Sequence, residues 1–267
     1  MKLFISADIE GVSDIVHWNE TFKNHEDHEE FKLQLTREVK AACEGAIESG
    51  IKEILVKDAH ESGRNIVHRE LPKEVILSNG WFYHPFLMME GLDKTFDGSI
   101  FIGYHCGAST GGSPLAHTMD PDKIAYIKIN NQLASEFKIN YYTALYLKVP
   151  VLLVVGDKKL IEEVNSTNNK IKTIITKEGF GEGAINIHPE VIEEKIYEET
   201  KEIIKNFSKE KYMGTLPESF KVEICYKNHK DSYKSSFYPG MKLKDNHTIE
   251  FESNDYMEVL KAFLFLT

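Results

Sequence analysis

Short apolar runs alternate with longer amphipathic stretches through the first 157 residues, and this alternation most restricts the fold. Strands are predicted over residues 2–10, 52–60, 98–106 and 149–157, and helices over 26–50 and 134–148. Strands that alternate with helices favour a sheet whose strands are mostly parallel and whose faces are covered by the helices. The sequence therefore predicts an α/β fold with a largely parallel sheet and flanking helices.

The remainder of the chain has a different pattern. An amphipathic helix is predicted over 191–207, strand-like alternation extends over 219–253, and a closing helix begins at residue 255. We therefore divide the chain into an α/β domain over 1–157 and a smaller C-terminal α+β domain over 158–267. A hairpin is also predicted over 122–135, with Asn130 and Asn131 in its turn.

Charge and composition exclude several classes of protein. The formal net charge is −10, which disfavours a nucleic-acid partner because such partners require a basic surface. No apolar run approaches the roughly 18–20 residues that span a bilayer, and the N-terminal run is not typical of a secretory signal. Three widely spaced cysteines do not indicate a disulfide framework. We expect a cytoplasmic protein without a membrane partner.

Titratable side chains follow the ends of three predicted strands. Asp8 and Glu10 end the first strand, Asp58 and His60 the second, and His105 the third. The carboxyl ends of parallel strands meet at one edge of a sheet, so these groups are expected to share a site. Carboxylates and imidazoles together are ligands for a first-row metal, zinc above all. Asp8 and Glu10, two apart on a strand, are expected to project to the same face.

Alternatives remain open for individual residues in this pattern. A single histidine at a strand end is often a satisfied polar residue, and Asp58 is either a supporting partner of the site or a turn residue. His25 and His28 are interpreted as the solvated start of a helix rather than as a metal cluster. The aromatic segment 81–84 is either a pocket wall, a subunit interface or part of the core.

Four sequence blocks, in order, resemble the D-aminopeptidase family of DppA type, which is peptidase family M55 and consists of two-zinc peptidases. The blocks are FISADIEG, VKDAHESGRN, MMEGLDKTFDGSIFIGYHCGAS and AHTM. The resemblance covers residues 1–157 well and the C-terminal region only loosely. It implies an α/β metal-binding catalytic domain, a smaller C-terminal domain and two zinc ions per chain.

The resemblance also assigns roles to particular residues. It implies that Asp8 bridges the two metals and that His117 is the catalytic histidine. The other metal ligands that it implies are Glu10, His60, His105 and Glu136. We expect His117 to move protons or to stabilise the oxyanion, since a water activated by two metals is the more natural nucleophile.

The implied function is a zinc-dependent aminopeptidase that hydrolyses short peptides with N-terminal D-amino acids of the D-Ala type. The family also implies a ring-shaped homo-oligomer, a decamer, with an internal chamber. Two alternatives stay open at this point. Two-metal sites also hydrolyse other amides and phosphoesters, and a peptide-binding protein without enzymatic activity could hold a structural metal. Cys106, next to one implied ligand, is interpreted as a small packing residue rather than as a ligand.

Overall fold

The computed structural model describes all 267 residues. The strands are β1 Lys2–Ala7, β2 Glu53–Asp58, β3 Val75–Ser78, β4 Gly98–Tyr104, β5 Ile124–Ile129, β6 Gln132–Leu133, β7 Val151–Gly156, β8 Lys172–Ile175, β9 Lys177–Phe180, β10 Gly183–Asn186, β11 Phe220–Tyr226, β12 Lys242–Leu243 and β13 Thr248–Ser253. The α-helices are α1 His28–Glu48, α2 Glu136–Tyr146, α3 Lys158–Thr167, α4 Pro189–Lys205, α5 Lys209–Tyr212, α6 His229–Ser235 and α7 Tyr256–Leu266.

A six-stranded sheet forms the centre of the fold, in the spatial order β3-β2-β1-β4-β7-β8. All of its neighbouring strands are parallel, so their carboxyl ends lie along one edge. The central strands β4 and β7 are buried along their whole length, as expected for a sheet that is covered on both faces. The predicted α/β fold with a largely parallel sheet is confirmed.

Helices cover both faces of this sheet because alternate side chains of its strands point in opposite directions. Leu3 and Ile5 of β1 belong to the core beneath α1 and α4, whereas Phe4 belongs to the core beneath α2 and α3. The strand β8 and the helix α3 were not predicted. The β8 segment is only four residues long, too short for its alternation to be distinctive.

A second, five-stranded sheet has the order β12-β13-β11-β5-β6 and is antiparallel. The predicted hairpin is confirmed as β5 and β6, and its turn residues Asn130 and Asn131 have φ values of 51° and 67°. Asparagine is one of the few residues that tolerates this left-handed conformation. The buried face of helix α7 packs on this sheet.

The division at residue 157 stays a prediction. Each of the two sheets contains strands from both sides of that residue. Strand β8 joins the parallel sheet from beyond residue 157, while β5 and β6 join the antiparallel sheet from before it. Helix α4 packs directly on α1. No helix is both long and apolar enough to cross a membrane.

Candidate metal centre

The first two candidate ligands, Asp8 and Glu10, follow β1 rather than lying within it. Beyond the strand the chain crosses towards β4: the backbone N–H of Asp8 donates to the carbonyl of Ile102 (2.9 Å), and that of Gly11 to the carbonyl of Gly103 (2.7 Å). The prediction that the strand extends through Glu10 is therefore wrong. Both side chains are nevertheless buried and face one site.

Two glycines allow this close crossing. A Cβ atom at Gly11 would collide with the backbone carbonyl of Tyr104, and one at Gly103 would collide with the carbonyl of Asp8. Gly103 also has a φ of 70°, which other residues rarely adopt. The sequence after β1 thus brings two carboxylates against the end of β4 without a steric clash.

The loop after β2 carries His60, and Asp58 fixes its shape. One Asp58 oxygen accepts hydrogen bonds from the backbone N–H groups of Asn65 (2.5 Å) and Ile66 (2.7 Å). The Asn65 side chain donates to the other Asp58 oxygen and to the carbonyl of His60, both at 2.9 Å. Asp58 thus supports the loop around His60 from within the chain, and it belongs to neither group of potential metal ligands.

Glu136 reaches the site from the first turn of α2. Ser135 caps the helix by accepting from the Lys138 backbone N–H, which fixes where the helix begins. One Glu136 oxygen accepts from the backbone N–H of Met119 at 2.7 Å, which ties the helix to the loop that carries His117. The sequence contains no metal-binding pattern around residue 136, and only the family resemblance indicated it.

The structure brings all six predicted site residues together as two buried groups of three. The groups are Asp8, Glu10, His60 and His105, His117, Glu136, and the potential ligand atoms within each group lie within 4.8 Å of one another. His60 Nδ1 is 3.1 Å from a Glu10 oxygen, and His105 Nε2 is 3.5 Å from a Glu136 oxygen.

Asp8 lies between the two groups. Its Oδ1 is 3.4 Å from His60 Nδ1, and its Oδ2 is 3.4 Å from His105 Nε2. No other carboxylate in the site approaches an imidazole of both groups in this way. One carboxylate that presents a separate oxygen to each group is the arrangement that a bridging ligand requires.

In its neutral form, each of the three histidines directs an unprotonated nitrogen into the site. His60 Nε2 bonds to the carbonyl of Thr21 (3.0 Å), His105 Nδ1 to that of Cys106 (3.0 Å), and His117 Nδ1 to that of Leu115 (2.9 Å). A carbonyl only accepts, so in the neutral ring each of these nitrogens carries the proton. The other nitrogen therefore presents a lone pair, as metal-binding histidines do when a backbone carbonyl orients them.

Unsatisfied polar atoms point to a ligand that belongs in this site. Asp8 Oδ2, Glu10 Oε2 and His105 Nε2 are buried and have no hydrogen-bond partner in the protein. Leaving such groups unpaired costs about 1–3 kcal/mol each, and more when they are charged. Cations held among three carboxylates and neutral imidazoles would offset this cost. The donor set of nitrogen and oxygen atoms fits zinc.

Burial and neighbouring charges shift the pKa values of the site residues. Burial raises the pKa of Asp8, and the nearby Glu10 carboxylate adds to the rise. Burial acts to lower the pKa of His105, but the Glu136, Asp8 and Glu10 carboxylates together raise it to about 10. Burial lowers the pKa of His117, and the neighbouring His105 contributes to the same shift. His117 is therefore the histidine of the second group that is neutral at pH 7.

The two groups open into a cavity of about 300 Å³. Aromatic and apolar side chains surround the polar groups, including Trp18, Phe22, Trp81 and Met88. The His117 ring stacks on His105 with 4.2 Å between centroids and meets the Trp18 ring edge-on at 5.2 Å. Trp81 is thus part of a pocket wall, whereas Phe82 and Tyr83 of the same segment are exposed.

His28 and Cys106 are both buried close to the site. His28 is buried and its Nε2 lies 3.1 Å from the Asn65 side-chain oxygen, so its interpretation as a solvated helix start is wrong. It packs behind the loop that carries His60. Cys106 packs in the core beneath α2 and α3, and its sulfur belongs to neither group of potential ligands.

Lys177 was not predicted as part of the site. Its ammonium group is buried and donates to the carbonyls of Glu10 (2.6 Å), Val12 (2.9 Å) and Ile15. Burial lowers its pKa to about 8. The loop after β1, which carries Glu10, is therefore held by a cation from the start of β9. No local pattern around Lys177 signals this contact, which spans more than 160 residues of sequence.

Comparisons with known proteins agree with this geometry. The sequence model of the peptidase M55 family, described as D-aminopeptidase, matches residues 1–265. The chain belongs to this family. The predicted family resemblance is thus confirmed, and it extends through the C-terminal region, where the sequence blocks gave only a loose match.

A known sequence and a solved structure from Bacillus subtilis are similar to this M55 chain. The D-aminopeptidase of strain 168 is 31% identical over 269 residues, which cover 100% of this chain and 97% of that protein. The solved structure of the zinc-dependent D-aminopeptidase DppA, described as a self-compartmentalizing protease, is 30% identical with a TM-score of 0.92. It covers 100% of this chain, and this chain covers 96% of it.

Proposed function

We propose that this protein is a zinc-dependent aminopeptidase that hydrolyses short peptides with N-terminal D-amino acids. The observation that carries the proposal is the pair of buried ligand groups with Asp8 between them, which opens into a cavity beside His117. Membership of the D-aminopeptidase family and the likeness to a zinc-dependent D-aminopeptidase support both the metal and the substrate.

Five residues would hold two zinc ions. Glu10 and His60 would hold one ion, His105 and Glu136 would hold the other, and Asp8 would contribute an oxygen to each. When bound, zinc supplies Lewis-acid polarisation of a carbonyl and lowers the pKa of water towards about 7.

His117 is the proposed catalytic residue. Its Nδ1 proton is held by the Leu115 carbonyl, so its Nε2 is free to accept a proton at the cavity and to return it to the leaving amine. Its lowered pKa keeps Nε2 unprotonated at neutral pH. Nε2 is also 3.7 Å from a Glu136 oxygen, so a role as an additional ligand is the alternative that a measurement must separate.

The variant His117→Ala separates these roles. We expect zinc content to stay at the wild-type level and kcat to fall by about 10²–10⁴-fold, the usual contribution of a positioned acid or base. His229→Ala, at an exposed histidine outside the site, is the control and should change neither quantity. Loss of zinc from His117→Ala would make His117 a ligand, and turnover within a few-fold of wild type would refute the catalytic role.

The substrate class is tested with D-Ala and L-Ala p-nitroanilides, with and without a chelator. We expect hydrolysis of the D substrate, loss of that hydrolysis with the chelator and recovery on addition of zinc. A zinc-loaded protein that cleaves bis(p-nitrophenyl) phosphate but neither anilide would instead favour a phosphoesterase. Bound zinc without any hydrolysis would favour the peptide-binding alternative.

We further propose that the protein assembles into a ring-shaped homo-oligomer, a decamer, and acts in the cytoplasm. The assembly rests on the relative described as a self-compartmentalizing protease. Light scattering after size-exclusion chromatography measures the mass directly. A monomer of 30.6 kDa at micromolar concentration would refute the assembly.

A further inference from the structure

A second cavity of about 280 Å³ adjoins the metal cavity. Its lining is mostly apolar and includes Leu87 and Met88 from the segment before β4, together with Phe263 and Leu264 from α7. It shares Trp81, Met88, Met119 and Asp120 with the metal cavity, so the two cavities are neighbours with a common wall. The mechanism proposed above makes no use of this second space.

Trp81 forms the wall between the two cavities, and a buried ion pair holds it. Lys57 Nζ lies 3.2 Å from a Glu90 oxygen, and the two side chains are 0% and 1% exposed. The same ammonium group lies 4.3 Å from the centroid of the Trp81 ring. A buried ion pair rarely adds net stability, and here its contact with the Trp81 ring is what it contributes to the wall.

The ion pair also fixes the backbone around Trp81. The two Glu90 oxygens accept from the backbone N–H groups of Phe82 and His84, each at 2.9 Å. The Trp81 indole N–H donates to the carbonyl of Glu61 at 2.6 Å, next to the metal-site residue His60. The backbone that follows Trp81 is therefore held by the Glu90 carboxylate, and the Trp81 ring is held by the loop that carries His60.

Met119 joins the second cavity to the metal site from the opposite side. It holds a left-handed backbone conformation, with a φ of 67°, and its N–H donates to Glu136. Such a conformation is unfavourable for methionine and persists only where surrounding contacts enforce it. Met119, on the shared boundary of the two cavities, is thus held in place by a residue of the metal site.

We propose that this second cavity is a subsite for a bulky apolar side chain of the substrate, next to the scissile bond, with Trp81 and Leu264 as specificity-determining residues. The inference rests on the proposed peptidase function. The occupant is a substrate side chain because the space borders the metal cavity along shared lining residues and its walls are mostly apolar. Substrates with leucine or phenylalanine should therefore be favoured over those with glycine.

The test compares kcat/KM for two peptide series on the zinc-loaded protein. In one series, D-Ala, D-Leu and D-Phe are varied at the N-terminus of Xaa-Gly-Gly; in the other, Gly, Leu and Phe are varied at the second position of D-Ala-Xaa. The wild type should favour the bulky apolar residue by at least about tenfold at one of the two positions. Equal rates within each series would overturn the subsite.

Substitutions at Leu264 then test whether the side-chain preference depends on the second cavity. Leu264→Trp fills the cavity and should reduce kcat/KM for the bulky substrates by about tenfold or more, with the small substrates within threefold of wild type. Leu264→Ala enlarges the cavity and should raise the preference for phenylalanine over leucine. Phe265→Trp, exposed on the same helix, is the matched control. Unchanged zinc content in each variant shows that the metal centre is intact.

The outcomes separate the subsite from the function on which it rests. Failure of every protein to hydrolyse any peptide, small ones included, would refute the peptidase function and the subsite together. Hydrolysis with a side-chain preference that Leu264→Trp leaves unchanged would overturn the subsite alone. A selective loss of bulky substrates in Leu264→Trp, with Phe265→Trp like the wild type, is the expected result.

Discussion

Glu38 gives a stability prediction that can be worked through from the structure. Its side chain on α1 is buried; one oxygen accepts from the Ser13 backbone N–H at 3.0 Å, and the other has no hydrogen-bond partner. Burial raises its pKa from 4.5 to about 7, although the bond to Ser13 acts in the opposite direction. The substitution Glu38→Gln keeps an oxygen that can accept from Ser13 and removes the ionisation.

The magnitude follows from the size of the shift. A rise from 4.5 to about 7 corresponds to about 3 kcal/mol, at roughly 1.4 kcal/mol per pKa unit. Below pH 4.5 the carboxyl is protonated in both states, and no penalty arises. Between pH 4.5 and 7 the unfolded chain releases the proton while the folded chain keeps it, so wild-type stability falls as the pH rises. Above pH 7 the full penalty is present.

The assay is urea unfolding of wild type and Glu38→Gln at pH 5, 6, 7 and 8, in the presence of a chelator so that metal binding does not contribute. We expect the free energy of unfolding of the variant, relative to wild type, to increase by about 2–3 kcal/mol from pH 5 to pH 8. A difference that stays constant within about 0.5 kcal/mol across this range would refute the reasoning.

Two further substitutions test the groups that hold the metal-binding loops. Lys177→Met leaves three buried carbonyls without their donor, so we expect a loss of roughly 2–5 kcal/mol in urea unfolding together with weaker zinc binding; unchanged stability and zinc affinity would contradict the contact. Asp58→Asn replaces one acceptor of the loop that carries His60 by a donor. We expect zinc affinity in a chelator competition to fall by about 10–100-fold, and a change of less than twofold would contradict the positioning role.

The sequence predicted those parts of the fold and site that depend on short, local patterns. Asp8, His60 and His105 each follow closely on an apolar strand, and parallel strands necessarily bring their carboxyl ends to one edge. The adjacent pair Asn130 and Asn131, which predicts the β5–β6 turn, is an equally local signal. Glu136 carries no such signal, because a glutamate in the first turn of a helix is common whatever its function; its assignment came from the family resemblance.

The supporting contacts could not be predicted because they join distant segments. Lys177 lies in a stretch that the sequence marks only as charged and glycine-rich, yet it binds a loop near the N-terminus. The Lys57–Glu90 pair likewise depends on β2 and the segment before β4 lying side by side. The first strand was predicted to continue through Glu10, whereas the structure ends it at Ala7, where the chain comes into close contact with β4.

Zinc content, measured by plasma emission spectrometry on dialysed protein, tests the central claim most directly. We expect two zinc ions per chain in the wild type, one in Glu10→Gln and none in Asp8→Ala, because only Asp8 presents an oxygen to both ligand groups. Wild-type protein that binds no zinc, or Asp8→Ala that keeps two ions per chain, would contradict the two-metal site.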